Sequence, residues 1–221
     1  MISSKPIHDI WRTAIVTIGV LTIGASTVHA GFAPITQPDA AYLSESTLLP
    51  ITGADFNLVP SLSSGSFSIT LDTDLVALTT PTSWSTWGAP PNVESPTPRV
   101  LWTNGATSLT LTFSESVQLF GLEAQPNTAV VSPLLASFFQ GANLVGEISL
   151  DVDGNGGARL FAASSTTPFD KLVLSSTDDF AIAQVRAAIV PEPSSLTMLV
   201  LGSVVVAALA RNRVWPVPGV H

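Results

Sequence analysis

The chain contains no cysteine, and its histidines, His8, His29 and His221, all lie in the terminal segments, as do its methionines, Met1 and Met198. Between Gly31 and Val190 there is therefore neither a thiol nor an imidazole. That stretch cannot build a Ser-His-Asp triad, a Cys-His pair, a histidine-ligated zinc site or a disulfide. Positive charge is nearly as scarce: Arg99, Arg159, Lys171 and Arg186 stand against fourteen Asp and Glu, a net of −10. A surface of that sign has no basic face to neutralise phosphates, so DNA and RNA are excluded as partners. Water, cations or neutral glycans fit it better.

What is abundant is apolar, and it collects at the two ends. Lys5 and Arg12 precede an apolar run from Ala14 to Ala25, which closes on Val28-His29-Ala30. A basic start, a short apolar run and small residues at a cleavage site are the layout of a secretory signal peptide, predicted over 1–30 and removed after Ala30. The run is too short to cross a bilayer comfortably, which argues against a retained anchor. An exported chain without disulfides must hold together by core packing, and a domain of this length is large enough to do so.

At the other end stands Val190-Pro191-Glu192-Pro193-Ser194-Ser195, then an uncharged run from Leu196 to Ala210, then Arg211-Asn212-Arg213. The two prolines hold the chain extended, and Ser194 or Ser195 can cap the helix predicted over 195–210. At ~1.5 Å per residue the apolar run spans roughly 22 Å, short of the ~30 Å hydrocarbon core. Arg211 and Arg213 behind it place that end in the cytoplasm and the preceding chain outside, the topology the signal peptide also requires. The order Pro-Glu-Pro, apolar helix, arginines resembles the PEP-CTERM sorting signal of Gram-negative, polysaccharide-producing bacteria. The resemblance implies recognition of Pro191, Glu192 and Pro193 by an exosortase, with Arg211 and Arg213 as the basic cluster. It also implies an inner-membrane precursor that is cut near the Pro-Glu-Pro and passed to the surface or extracellular matrix. The short tail 214–221 runs on past the arginines, where such signals usually stop.

The segment 31–64 is rich in Pro, Thr and Ser and poor in periodicity, and reads as an extended leader with one edge strand near Asp55–Val59. From residue 65 to 189 the pattern becomes period-two. Phe67, Ile69 and Leu71 alternate with Ser68, Thr70 and Asp72, and Leu109, Leu111 and Phe113 repeat the pattern, followed by Val117, Leu119 and Gly121. Further strands are predicted over 134–140, 144–152, 158–162, 169–175 and 180–189, with a hairpin turn at Gly141-Ala142-Asn143. With no amphipathic helical stretch of ten residues, the expected fold is an all-β antiparallel β-sandwich, Ig-like or jelly-roll. Trp87-Gly88, Phe120-Gly121-Leu122-Glu123, Pro126-Asn127, Gly157 to Phe161 and Phe180-Ala181-Ile182 resemble domains associated with PEP-CTERM proteins, a resemblance that implies no catalytic activity.

Three sets of side chains are candidates for chemistry. Asp151, Asp153 and Asn155, with Gly156, match the opening half of a calcium loop, but Ala162 stands where the closing bidentate Glu belongs. Asp178 or Asp179 would have to complete the site, and a plain Gly/Asp/Asn turn accounts for the same residues. Trp84, Trp87 and Trp102 cluster near Pro90-Pro91 and Pro96, either as a stacking platform for a sugar ring or as a packed cap on the sandwich. Glu115, Glu123, Glu147, Asp178 and Asp179 could in principle supply the carboxylate pair of a glycan hydrolase, although no spacing selects a pair. The reading that follows is a non-enzymatic structural or adhesive protein of the polysaccharide layer. Its predicted partners are an exosortase, the membrane and exopolysaccharide, and calcium is the one cofactor the residues suggest. The alternative is a secreted carboxylate-based hydrolase, which needs a cleft with two converging carboxylates, one of raised pKa.

Overall fold

Alternating apolar and hydroxylated residues make strands, and in this chain the strands are long enough to bend. A computed structural model of the chain describes residues 31–188. Those residues form ten strands and one short helix: β1 (Ala33–Ile35), α1 (Ala40–Glu45), β2 (Thr47–Leu48), β3 (Leu58–Ser64), β4 (Phe67–Thr79), β5 (Arg99–Trp102), β6 (Ser108–Pro126), β7 (Val131–Gln140), β8 (Asn143–Asp153), β9 (Arg159–Ser176) and β10 (Phe180–Ala187). Every pairing is antiparallel. The domain is thus mostly antiparallel β-sheet with almost no helix, as the alternation predicts and as a sandwich requires. The predicted signal peptide (1–30), the sorting residues Pro191, Glu192, Pro193, Arg211 and Arg213, the apolar helix 195–210 and the tail 214–221 lie outside the described residues. No helix among the described residues is long and apolar enough to cross a membrane.

Three strands, β4, β6 and β9, change neighbours part-way along. The first half of β6 pairs with the start of β4 and the end of β9, and its second half pairs with β10 and the start of β9. Register breaks mark the changes: β6 and β9 slip past each other between Thr112 and Leu119, and β3 and β4 slip between Val59 and Ser61. Such bulges bend a strand and sharpen its twist. The front half-sheet runs β3, β4, β6, β9, β7, β8; the back one runs β4, β5, β10, β6, β9, β1, with β2 alongside β10.

Side chains from both halves meet in one core. Phe67, Ile69, Leu109, Leu111, Leu134, Phe138 and Leu172 come from the front, and Leu75, Leu101, Phe120, Leu122, Phe161 and Ile182 from the back. The back half-sheet is also covered on its other face. Trp84, Trp87 and Val93 lie over Val76, Leu78, Val100, Ala181 and Ala183, while Tyr42 lies over Leu119, Leu160 and Ala162. A strand buried on both faces needs no polar alternation, which is why Leu75-Val76-Ala77-Leu78 and Leu119-Phe120-Gly121-Leu122 read as unbroken apolar runs.

Two sequence expectations are corrected. Segment 31–64 is no leader outside the domain, and no boundary falls at residue 64. Within it β1 pairs with Ala162–Ser164 and β2 with Arg186–Ala187, and Tyr42 and Leu49 are buried. β1 and β2 are too short to show alternation, and α1 is a six-residue turn of helix capped by Asp39, whose carboxylate accepts from the Tyr42 backbone N–H at 2.9 Å. The strands predicted at 158–162 and 169–175 are one bent strand, β9, whose bulge around Ser165–Pro168 breaks the period without ending the pairing.

Candidate functional site

The outward face of β6 carries Leu119, Gly121, Glu123 and Gln125 at alternate positions, beneath the long connection from β4 to β5. Glu123 has no exposed surface. Its Oε2 accepts from the indole Nε1 of Trp87 at 2.9 Å, and its Oε1 accepts from the backbone N–H of Glu94. Glu94 in turn forms a bidentate pair with Arg186 of β10, at 2.7 and 2.8 Å, and Arg186 also donates to the Ser46 carbonyl at 3.1 Å. Burial pushes the Glu123 carboxyl up to about 7, against the pull of the Trp87 and Glu94 donors, and the nearby Glu94 charge raises it further. The same paired Glu94 holds the Arg186 guanidinium above its ordinary value. Tyr42 reaches in from α1. Its hydroxyl is buried without a partner, and burial raises it well above the usual phenol. Gly121 makes the room: a Cβ there would come within 2.5 Å of that hydroxyl and 2.4 Å of the Ala162 Cβ.

Two residues further on, Gln125 is 1% exposed and holds two different segments. Its Nε2 donates to the Thr86 hydroxyl at 2.9 Å and to the Gly154 carbonyl at 2.5 Å, while its Oε1 is buried with no partner. Above it opens a cleft of about 450 Å³ lined by Ser83–Thr86, Gln125–Ala129, Gly154 and Asn155. Its lining carries hydroxyls, carboxamides and backbone carbonyls and no charged side chain. Gly154 is required where it stands, because a Cβ would fall 1.8 Å from the Thr128 carbonyl oxygen. Sequence reasoning missed this cleft, since its walls come from three segments about thirty to forty residues apart.

The sequence candidates are distributed as follows. Asp153 and Asn155 form a turn: the Asp153 carboxylate accepts from the Asn155 backbone N–H at 2.8 Å, and Asn155 Nδ2 donates to the Ala129 carbonyl at 2.9 Å. Asp151 lies two residues earlier on the exposed face of β8. Asp178 accepts from Ser132 at 2.6 Å, and Asp179 accepts from Trp102, Gly105 and Asn127. No group of three His, Cys, Asp or Glu among the described residues could hold a metal ion. The three tryptophans do gather, but as packing. Trp84 and Trp87 are 7% and 5% exposed, and Trp102 packs against the same cluster with its indole N–H bonded to Asp179. The open stacking platform is therefore corrected to a cap on the back half-sheet. Of all the candidates, the cleft brings together Trp84 and Asn155.

Among the carboxylates, Glu147 accepts from Ser137 at 2.7 Å, and Glu115 sits at the β6 bulge. Glu123 meets the backbone N–H of Glu94, whose own carboxylate is taken by Arg186, and Glu94 was not among the sequence candidates. One signal was available: a glutamate and a glutamine inside the apolar run Leu119–Ala124 and its continuation must be buried, and buried polar groups need partners. Glu123 lies under Trp87, and an acid with no exposed surface cannot reach a glycosidic oxygen.

No protein-family model matches the chain, and no curated protein matches it. Among solved structures, that of TmCBM61 in complex with β-1,4-galactotriose is similar, with a TM-score of 0.33 and 12% identity over 55% of this chain and 87% of that one. A likeness of that degree carries no argument about ligand or activity.

Proposed function

We propose that the chain is an exported protein of the cell surface or extracellular matrix, sorted by its PEP-CTERM-type tail. Its β-sandwich is non-enzymatic, structural or adhesive, and in contact with exopolysaccharide. The observation that carries the non-enzymatic part is the use made of Glu123. The carboxyl with the raised pKa, which a hydrolase would present to substrate, is sealed under Trp87 and pins a loop. The order of Pro191, Glu192, Pro193, the apolar run and Arg211 with Arg213 supports the sorting part, and an acidic domain poor in cations supports a neutral matrix as its surroundings.

The test is made in the producing cells. Replacing Pro191, Glu192 and Pro193 together by alanine is expected to leave the protein in the inner-membrane fraction, whereas the natural sequence reaches the matrix. Equal delivery of both to the matrix would overturn the sorting reading.

A further inference from the structure

We infer that the cleft above Gln125 is the surface that takes hold of polysaccharide, and that its ligand is a neutral, hydroxyl-rich chain and not a uronate or sulfated one. The inference rests on the matrix reading above and adds to it a site and a ligand class.

Charge decides the class. The domain carries fourteen acidic residues, yet none lines the cleft, and neither does a cation. The four cations are placed elsewhere. Arg186 is paired with Glu94, Arg99 with Asp55, Lys171 donates to the Gly141 carbonyl, and Arg159 opens onto a separate groove beside β1 and β8. An anionic polymer in the cleft would find no partner for its charge and would face the Asp179 carboxylate behind Asn127. A neutral sugar presents hydroxyls that both donate and accept, which matches a lining of hydroxyls and carboxamides. Asn127 and Asn155 at the rim each bond through Nδ2, to Asp179 and to Ala129, so that each keeps an acceptor oxygen outside those bonds.

The floor gives the second observation. Gln125 is fixed by its own two donor bonds, which leaves Oε1 as a buried acceptor lacking a donor. A buried amide oxygen without a donor is costly, and Gln125 lines the cleft, so a ligand hydroxyl that reaches Oε1 is favoured there. Because the side chain is held from both walls, by Thr86 and Gly154, the cleft is shaped before the ligand arrives.

The experiment uses full-length protein in detergent and the producing organism's own extracellular polysaccharide, separated by anion exchange into neutral and anionic fractions. Binding to immobilised polysaccharide is compared for the natural sequence, Ser85→Trp, which plugs the cleft from an exposed rim position, and the Asn127→Ala/Asn155→Ala double variant, each with its melting temperature. The expected result is retention on the neutral fraction, weakened at least tenfold by both variants while each stays folded at the temperature of the assay. Neutral binding that neither variant alters would overturn the cleft while leaving polysaccharide contact standing. Preference for the anionic fraction would overturn the ligand class. Failure to bind either fraction would sink the inference together with the polysaccharide reading, whereas the sorting test stands apart from both.

Discussion

Glu123 and Gln125 stand two residues apart on one face of β6, and both hold the same loop. Glu123 binds it through the Trp87 indole and the Glu94 backbone, and Gln125 through the Thr86 hydroxyl. The loop that caps the back half-sheet and forms one wall of the cleft is thus fastened at adjacent outward positions of a single strand.

The buried carboxyl makes stability depend on pH with a definite sign. A group raised to about 7 in the folded state holds its proton where the unfolded chain has lost it. Its contribution is fully present below the ordinary glutamate value and is lost as pH rises through about 7. Melting temperature is expected to fall between pH 5 and pH 8, and Glu123→Gln is expected to remove most of that slope. Asp55 acts in the opposite window. Hydrogen bonds from Ser83 and Thr79 hold its carboxyl below the ordinary value, so its contribution is lost as pH falls past that value. Asp55→Asn should flatten the acid limb alone. Thermal melts from pH 3 to pH 8 separate the two, and an unchanged slope in Glu123→Gln would contradict the assignment.

Tyr42→Phe should cost nothing or stabilise. The hydroxyl is buried without a partner, and removing an unsatisfied polar group recovers up to about 1–3 kcal/mol of desolvation. Gly121→Ala should destabilise by about 1–3 kcal/mol, because the new methyl meets that hydroxyl and the Ala162 side chain. Combining it with Tyr42→Phe should recover part of the loss in chemical denaturation. Full additivity would show that the two sites do not touch.

Gln125→Leu removes both donors and leaves the buried Gly154 carbonyl without one of its partners. A loss of about 1–3 kcal/mol is expected, together with weaker retention on neutral polysaccharide. Denaturant melts and the binding assay read the two effects separately.

How much of this was legible in the sequence follows from burial. Where one face is wet, as at Phe67–Leu71 and Leu109–Phe113, alternation located the strands and their inward residues. Where both faces are covered, as along Leu119–Gln125, the period vanishes, and the one sign left is that a glutamate and a glutamine in an apolar run need partners, which does not say that the partner is a loop. The short strands β1 and β2 are set by pairing to β9 and β10 and carry no local signal. Trp84, Trp87 and Trp102 were rightly seen to gather, but their spacing could not show that the back half-sheet had an uncovered face for them to fill. The cleft depends on three distant segments meeting and has no sequence signature.

The account turns on export and sorting, and the intact mass of the protein recovered from the extracellular matrix tests it most directly. A chain beginning at Gly31 and ending near Pro191 is the predicted result. A chain recovered from the cytosol with both ends uncut, running from Met1 to His221, would contradict it.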